Sequence, residues 1–245
     1  MRVSRVYVEA PLAAGERTTL SGDAANHIAR VLRSRVGDPL TLFDGRGGEY
    51  DARIAELQGV KVIAEVGEHH PIERESALEI TLLQGVARGD RMDTIIQKAT
   101  ELGVARIVPV ISERSVVKIT RETAHRKHAH WRAVAIAACE QCGRNRLPEI
   151  AQPQILSDAA RASTLATQLR LMLAPGASCT LLSAAAKATS IALLIGPEGG
   201  LAPVEADIAA RAGFVACSVG PRILRTETAS LAAIAALQAV TGDFA

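Results

Sequence analysis

The sequence predicts an α/β chain in two parts, a small β-barrel carrying one helix followed by a mainly parallel sheet with helices, and three observations carry that prediction. The first seventy residues are rich in short alternating runs broken by turn signals such as Asp44-Gly45 and Gly47-Gly48. From Leu78 the chain alternates strand and helix, beginning with a βαβ unit: Leu78 to Gln84, about Asp90 to Leu102, then Ile107 to Ile111. Between Ile191 and Ala239 two glycine-marked strand ends, each followed by a helix, occupy the last fifth of the chain.

In the first part, Val6 to Glu9, Leu40 to Phe43, Tyr50 to Ala55 and Val60 to Val66 read as strands. Asp23 to Val36 reads as an amphipathic helix, with Ile28, Val31 and Leu32 on one side and Arg30, Arg33 and Arg35 around the other. Pro71 to Ser76 is polar, short and without period, so a domain boundary is expected there, with residues 1–72 forming the barrel and 73–245 the larger domain. Downstream, helices are expected over Glu122 to Gln141 and Ser157 to Thr167, a strand over Leu169 to Leu173, and a turn at Pro175-Gly176. Ile191 to Ile195 is a β-branched, apolar strand ending in Gly196-Pro197-Glu198-Gly199-Gly200. The pattern recurs with Phe214 to Val219 as a strand, Gly220-Pro221 as a turn, Thr226-Glu227-Thr228 as a helix start and Ala229 to Val240 as an apolar helix. Ligands of open α/β sheets sit at the carboxyl ends of strands, so these two loops are placed to build one pocket for a small polar ligand.

A chain of 245 residues with a hydrophobic fraction of 48% is long and apolar enough for packed cores. No long uncharged apolar stretch occurs, and the start, MRVSRVYVEAPL, lacks a signal-peptide hydrophobic region, so a cytoplasmic protein with no membrane partner is expected. Four cysteines at this length make no disulfide framework and read as reduced thiols. The net charge is only +2, yet from Glu113 to Arg146 eight Lys or Arg stand against three acids, a local +5. Two readings fit that stretch: a phosphate-backbone footprint, or the solvated face of a helix.

Gly196-Pro-Glu-Gly-Gly200 lacks the G-x-G-x-x-G spacing of a dinucleotide loop, and Pro197 with Glu198 would oppose a pyrophosphate, which disfavours NAD. Glycine there also serves helix entry and close packing, so the ligand reading rests on its pairing with the second loop. In that second loop Thr226 and Thr228 can cap a helix, while Arg225 and Glu227 bring charge to an apolar neighbourhood. Cys139-Glu-Gln-Cys142 has zinc or thioredoxin spacing, but no second pair follows and His125-x-x-His128 lies in a basic helix, so no metal is expected. Arg88 and Arg91 stand at a strand's carboxyl end, facing either a ligand or solvent. Arg5, which alternates with Tyr7 on a strand, reads as surface charge or as a contact to phosphate, and so do Arg30 and Arg33. His27 reads as a structural histidine.

Asn26-His27 with Val31-Leu32-Arg33 and Gly37-Asp38, Gln97-Lys-Ala-Thr-Glu-Leu-Gly103, Ser112-Glu-Arg-Ser115, Cys139-Glu-Gln-Cys-Gly-Arg-Asn145, Ile195-Gly-Pro-Glu-Gly-Gly200 and Gly220-Pro-Arg-Ile-Leu-Arg-Thr-Glu-Thr-Ala229 carry a further signal. Together, in order and over nearly the whole chain, they resemble the bacterial 16S rRNA uridine-1498 N3-methyltransferase family (RsmE). The resemblance implies a PUA-like β-barrel followed by a SPOUT methyltransferase domain tied in a deep trefoil knot, assembled as a homodimer. Pattern alone gives an ordinary doubly wound sheet instead. The resemblance also implies S-adenosylmethionine as methyl donor and 16S rRNA of the small ribosomal subunit as partner. The donor would be held by Leu173, Ala174 and Pro175, by Ile195, Gly196, Pro197, Glu198, Gly199 and Gly200, and by Val219, Gly220, Leu224, Arg225, Thr226, Glu227, Thr228 and Ala229. The RNA would be gripped by Arg5, Arg30, Arg33, Arg88, Arg91, Arg114, Lys118 and Arg144.

Uracil N3 lies on the Watson–Crick edge, so the uridine must be unpaired or turned out of its stack. Under this reading Arg225 or Arg5 stabilises negative charge on the uracil oxygens, and Glu101 or Glu227 orients groups or receives a proton. The chain departs from the family twice: Leu201-Ala202 stands where Phe-Ser is common, removing a capping hydroxyl ahead of Pro203, and arginines replace lysines between Gln84 and Asp93. Two rival readings use the same residues, a SPOUT methyltransferase acting on another RNA and a non-catalytic RNA-binding ribosome-assembly factor with a vestigial pocket.

Overall fold

The structure, a computed structural model, describes residues 3–20, 22–26, 28–29, 34–59, 61–162, 169–185 and 188–244. Contacts divide the chain into one unit of Met1–Glu75 with Cys139–Leu147 and another of Ser76–Ala138 with Pro148–Ala245. The sequence order alone would leave Cys139–Leu147 in the larger domain.

The first unit holds β1 (Ser4–Tyr7), β2 (Arg17–Leu20), α1 (Gly22–Asn26), β3 (Pro39–Phe43), β4 (Glu49–Gln58) and β5 (Lys61–His70). The sheet runs in the order β1-β3-β4-β5-β2. Among the described strands of this sheet, β1 and β3 pair in parallel and the others antiparallel. Period-two alternation turns Ala52 and Ile54 of β4 and Val62, Ala64 and Val66 of β5 inward, where they meet Val6, Leu20, Leu40 and Leu42 in one core. Register shifts at Tyr50/Ala52 and Ile54/Glu56 bend β4. The helix expected as far as Val36 does not reach it, since Ser34 and Arg35 are non-helical. The Arg35 N–H donates to the Asp38 carboxylate at 2.7 Å, and Gly37, at φ 92°, turns the chain toward β3. His27, Arg30, Val31, Leu32, Arg33 and Val60 lie outside the described residues.

The segment Cys139–Leu147 is stitched into this unit by polar contacts. Glu140 accepts from the Tyr7 N–H at 3.0 Å, and Asn145 donates to Glu49 at 3.1 Å and to the Ile72 carbonyl at 2.6 Å. Burial pushes the Cys139 thiol up to about 12, so it stays protonated, its Sγ 3.7 Å from the Arg146 carbonyl.

The second unit holds β6 (Glu79–Gly85), α2 (Asp90–Glu101), β7 (Arg106–Ile111), most of α3 (Arg121–Cys142), β8 (Glu149–Ile150), β9 (Gln154–Ile155) and α4 (Leu156–Arg161). It continues with β10 (Leu169–Leu173), α5 (Leu181–Ala185), β11 (Ser190–Ile195), α6 (Pro203–Arg211), β12 (Val215–Cys217) and α7 (Thr226–Thr241). All strand pairs are parallel, in the order β12-β10-β11-β6-β7-β8 with β9 also on β7. Helices cover both faces, which is why β6 and β11 are near-continuous apolar runs. Ile80, Leu82, Ile191 and Leu193 pack with α2, α3, α5 and α7, whereas Leu83, Val108, Ala192 and Leu194 pack with α4 and α6.

The helix expected over Ser157 to Thr167 ends at Arg161, and 163–168 lie outside the described residues. The strand expected over Phe214 to Val219 keeps only Val215–Cys217, because the Ser218 N–H donates to the Cys179 carbonyl at 2.9 Å. On α7 the buried stripe is Thr226, Ser230, Ala233, Ile234, Leu237 and Gln238, a helical period that includes three polar residues. Gln238 is satisfied there: it accepts from the Ser76 hydroxyl at 2.7 Å and donates to the Leu102 carbonyl at 2.8 Å.

Candidate functional site

Parallel strands aim their carboxyl ends at one edge of the second unit, and there the loops after β10, β11 and β12 enclose a cavity of about 760 Å³. That volume falls in the roughly 300–1,000 Å³ range of small-molecule sites. Leu173, Ala174 and Pro175 contribute the first wall, Ile195, Gly196, Pro197, Glu198, Gly199 and Gly200 the second. Val219, Gly220, Leu224, Arg225, Thr226 and Ala229 form the third. Glu227 and Thr228 do not line it, because a helix presents positions three apart, here Thr226 and Ala229, on one face. The lining also includes Arg222 and Ile223 of the second motif, Leu201 just after the first, and Met172, Ala206, Cys217 and Ser218, which the motifs did not mark. Their position beside strand ends was the available signal for Met172, Cys217 and Ser218. Burial pushes the Cys217 thiol up to about 11, so it is a neutral part of the apolar wall.

The middle loop is held from several sides. Gly200 sits at φ 68° and its N–H donates to the Pro197 carbonyl at 2.8 Å, closing a tight turn. A Cβ built on Gly85 would lie 2.7 Å from the Gly196 carbonyl carbon, so only glycine lets β6 and the loop meet. The Thr226 hydroxyl donates to the Gly196 carbonyl at 2.7 Å and accepts from the Gln84 side-chain amide at 3.0 Å. The Ser230 hydroxyl lies 2.6 Å from the Gln84 Oε1. Gln84 and Ser230 are fully buried, although glutamine and serine are mostly exposed types, and the sequence marked neither as a site residue.

Charge gathers at the cavity's rim. Glu198 accepts from the Arg88 N–H at 3.0 Å and the Arg91 guanidinium at 2.9 Å. Burial works to raise its carboxyl, but these hydrogen bonds and the Arg91 charge outweigh it and hold the group below the ordinary carboxylate range. Arg91 also approaches Glu227, Nε to Oε1 at 3.7 Å, while the other Glu227 oxygen is buried with no hydrogen-bond partner among the described residues. Arg114 donates to the Gly199 carbonyl at 3.2 Å. Arg222 and Arg225 are exposed. Glu205 of α6 accepts from the Ala202 N–H at 2.9 Å and from the Glu113 N–H at 2.8 Å, so half of a capping box survives without a Ser hydroxyl.

Other residues singled out from sequence lie elsewhere. Glu101 pairs with Lys98 at 2.8 Å at the far end of α2, ten residues or roughly 15 Å of helix rise from Arg91, so it is not part of this cavity. Arg5 and Arg144 are not solvent-facing: their side chains are 10% and 5% exposed. Arg5 binds Glu49 at 2.5 Å and Asn145 at 2.6 Å, and Arg144 binds Glu75 at 2.5 Å, so both hold the first unit together. Arg88 and Lys118 are exposed, and Arg30 and Arg33 lie outside the described residues. Among the described residues no group of three His, Cys, Asp or Glu could hold a metal ion, and no helix is long and apolar enough to cross a membrane.

The chain matches known proteins along its length. The profile of the RNA methyltransferase domain matches residues 74–238, and that of the RNA methyltransferase PUA domain matches residues 20–66. Ribosomal RNA small subunit methyltransferase E of Buchnera aphidicola subsp. Schizaphis graminum is 33% identical over 242 residues, 99% of this chain and 98% of the relative. Among solved structures, a protein of Legionella pneumophila described as a methyltransferase, in complex with the bound cofactor SAM, superposes with a TM-score of 0.94 at 40% identity, covering 99% of this chain and 100% of that one. Ribosomal RNA small subunit methyltransferase E of Neisseria gonorrhoeae, bound to S-adenosyl methionine, gives a TM-score of 0.90 at 38% identity, covering the whole of both chains.

Proposed function

The chain belongs to the ribosomal RNA small subunit methyltransferase E family, and we propose that it methylates N3 of uridine 1498 in 16S ribosomal RNA with S-adenosylmethionine as donor, in the cytoplasm. The observation that carries this reading is the convergence of three loops, distant in sequence, on one cavity at the carboxyl ends of β10, β11 and β12. Its residues suit the donor. Met172, Leu173, Ile195 and Leu224 offer apolar wall, the glycines of the middle loop let backbone approach a ligand, and rim charges of both signs match a zwitterion with an added cationic centre.

When bound, S-adenosylmethionine supplies an electrophilic methyl group. Leu173 to Pro175, Ile195 to Gly200, Val219, Gly220, Leu224 to Thr226 and Ala229 would hold it. Arg225, exposed at the cavity and preceding α7, is placed to stabilise the negative charge left on the uracil oxygens once N3 loses its proton. Glu227, behind the cavity wall and 3.7 Å from the Arg91 guanidinium, is the residue we assign to orient that arginine at the rim. Arg88, Arg114, Lys118 and Arg222 present exposed cations to the RNA backbone. We read the working unit as a homodimer and the backbone of the second unit as knotted around the donor; sedimentation of the purified chain checks the first.

The test of the reaction is direct. The protein is incubated with labelled donor and small subunits lacking the modification, and the methyl is mapped by nuclease digestion and mass spectrometry. Label at N3 of that uridine is expected. Label on another nucleotide would move the assignment to a different RNA site, and no label would favour a non-catalytic RNA-binding factor.

A further inference from the structure

We infer that Gln84, which lies at the end of β6 and does not itself line the cavity, is the positioning residue that sets the shape of the Gly196–Gly200 loop for the donor. The inference rests on the proposed reading of the cavity as the S-adenosylmethionine site. A fully buried amide is costly unless all its groups are satisfied, and here they are. Its Nε2 donates to the Thr226 hydroxyl at 3.0 Å and to the Gly85 carbonyl at 3.0 Å, and its Oε1 lies 2.6 Å from the Ser230 hydroxyl.

The direction of the chain follows from proton counting. Because both Nε2 protons are spent and Thr226 accepts one of them, the single Thr226 hydroxyl proton is free to point at the Gly196 carbonyl, 2.7 Å away. Turning the amide over would set Oε1 against the Gly85 carbonyl, an acceptor facing an acceptor. The polarity therefore runs one way, from the Gln84 amide through Thr226 to Gly196.

Pinning that carbonyl fixes the peptide plane into Pro197, whose own φ the ring restricts, so β6 sets where the turn begins, and the Gly200 N–H to Pro197 carbonyl bond closes it. The close approach of Gly85 to Gly196 is a second restraint from the same strand end. Removing the amide takes a donor from the Gly85 carbonyl and from the Thr226 hydroxyl oxygen; Ser230 keeps the Thr226 carbonyl at 2.8 Å, but the Thr226 hydroxyl, no longer fixed by the amide, loses the direction of its bond to Gly196.

The test measures the dissociation constant for S-adenosylmethionine by calorimetry, together with affinity for small ribosomal subunits and thermal melting. Gln84→Met keeps the length and apolar bulk and is expected to weaken donor binding by roughly 10-fold, within the range that an unsatisfied buried polar group costs. Affinity for the subunit should stay within twofold. Thr226→Val should weaken donor binding while Thr226→Ser restores it, and the double variant Gln84→Met/Thr226→Val should be less than additive. Wild-type donor affinity in folded Gln84→Met, or equal loss of subunit affinity, overturns the inference. If Gln84→Met does not fold, equal donor affinity in Thr226→Val and Thr226→Ser overturns it. Wild-type protein that binds no donor overturns the proposed function along with it, whereas wild-type binding with unchanged variants overturns this inference alone.

Discussion

Arg5 and Arg225 present the same guanidinium in opposite surroundings. Arg5 lies over the Phe43 ring at 5.0 Å and is enclosed with Glu49, while Arg225 is exposed at the cavity. Replacing Arg5 by Ala leaves the half-buried Glu49 with Arg74, at 3.1 Å, as its cation among the described residues, so folding stability should fall by roughly 2 kcal/mol, read as an earlier urea midpoint. Burial works to raise the Glu49 carboxyl, but hydrogen bonds from Arg5, Asn145 and Arg74 outweigh it and hold it low. A lowered carboxyl stabilises fully above its unfolded value and loses that contribution as pH falls through its folded value. The wild-type and Arg5→Ala midpoints should therefore converge in acid; a gap independent of pH would mean that packing over Phe43, not the ion pair, carries the effect. Arg225→Ala should leave the midpoint within about 0.5 kcal/mol and lower turnover by about 100-fold or more, with donor affinity changed less. Equal turnover would remove Arg225 from the chemistry. The sequence could not separate these two arginines, because residue type states the donors and not the partners. For Arg5 those partners stand 44 and 140 residues away along the chain.

Elements were legible where a period runs long enough and illegible where it does not. The stripe Met92, Ile95, Ile96 and Ala99 marks α2, and Trp131, Ala135, Ala138 and Cys139 mark α3. β8 and β9 are two residues each and α5 is five, too short for any period to register. On α7 the apolar reading of Ala229 to Val240 found the helix but not the burial of Ser230 and Gln238, which depends on partners in β6, in Ser76 and after α2. The missing Ser before Pro203 was visible in the sequence, and the structure shows how the helix manages. Ala202 has extended backbone at φ −69° and ψ 153°, a geometry in which a Ser side chain could cap, and Glu205 already supplies the reciprocal bond. Ala202→Ser should accordingly stabilise the protein by about 1 kcal/mol, seen as a higher melting temperature. A lower melting temperature would mean that this buried position has no room for the hydroxyl.

At the scale of the molecule, the site is a property of how distant segments meet, and that was legible only in outline. Glycine-marked strand ends announced two of the three walls, and the third, Leu173 to Pro175, came only through the family resemblance. The third wall and the clasp of Arg91 between Glu198 and Glu227 depend on strand order, with β11 placed between β10 and β6, which no local pattern encodes. The knotted path we propose would be less visible still, since threading leaves every strand and helix period unchanged. The convergence itself makes a prediction. At donor concentrations near 100 times the dissociation constant, binding adds about 2.7 kcal/mol to the folded state, enough to slow amide exchange wherever opening breaks the site. Peptides covering Leu173–Gly176, Ile195–Leu201 and Cys217–Ala229 should gain protection together, at the same donor concentration. Those covering β3 and β4 should not change. Protection confined to one of the three segments would mean that the loops act separately, and the cavity would then not be the donor's site as a whole.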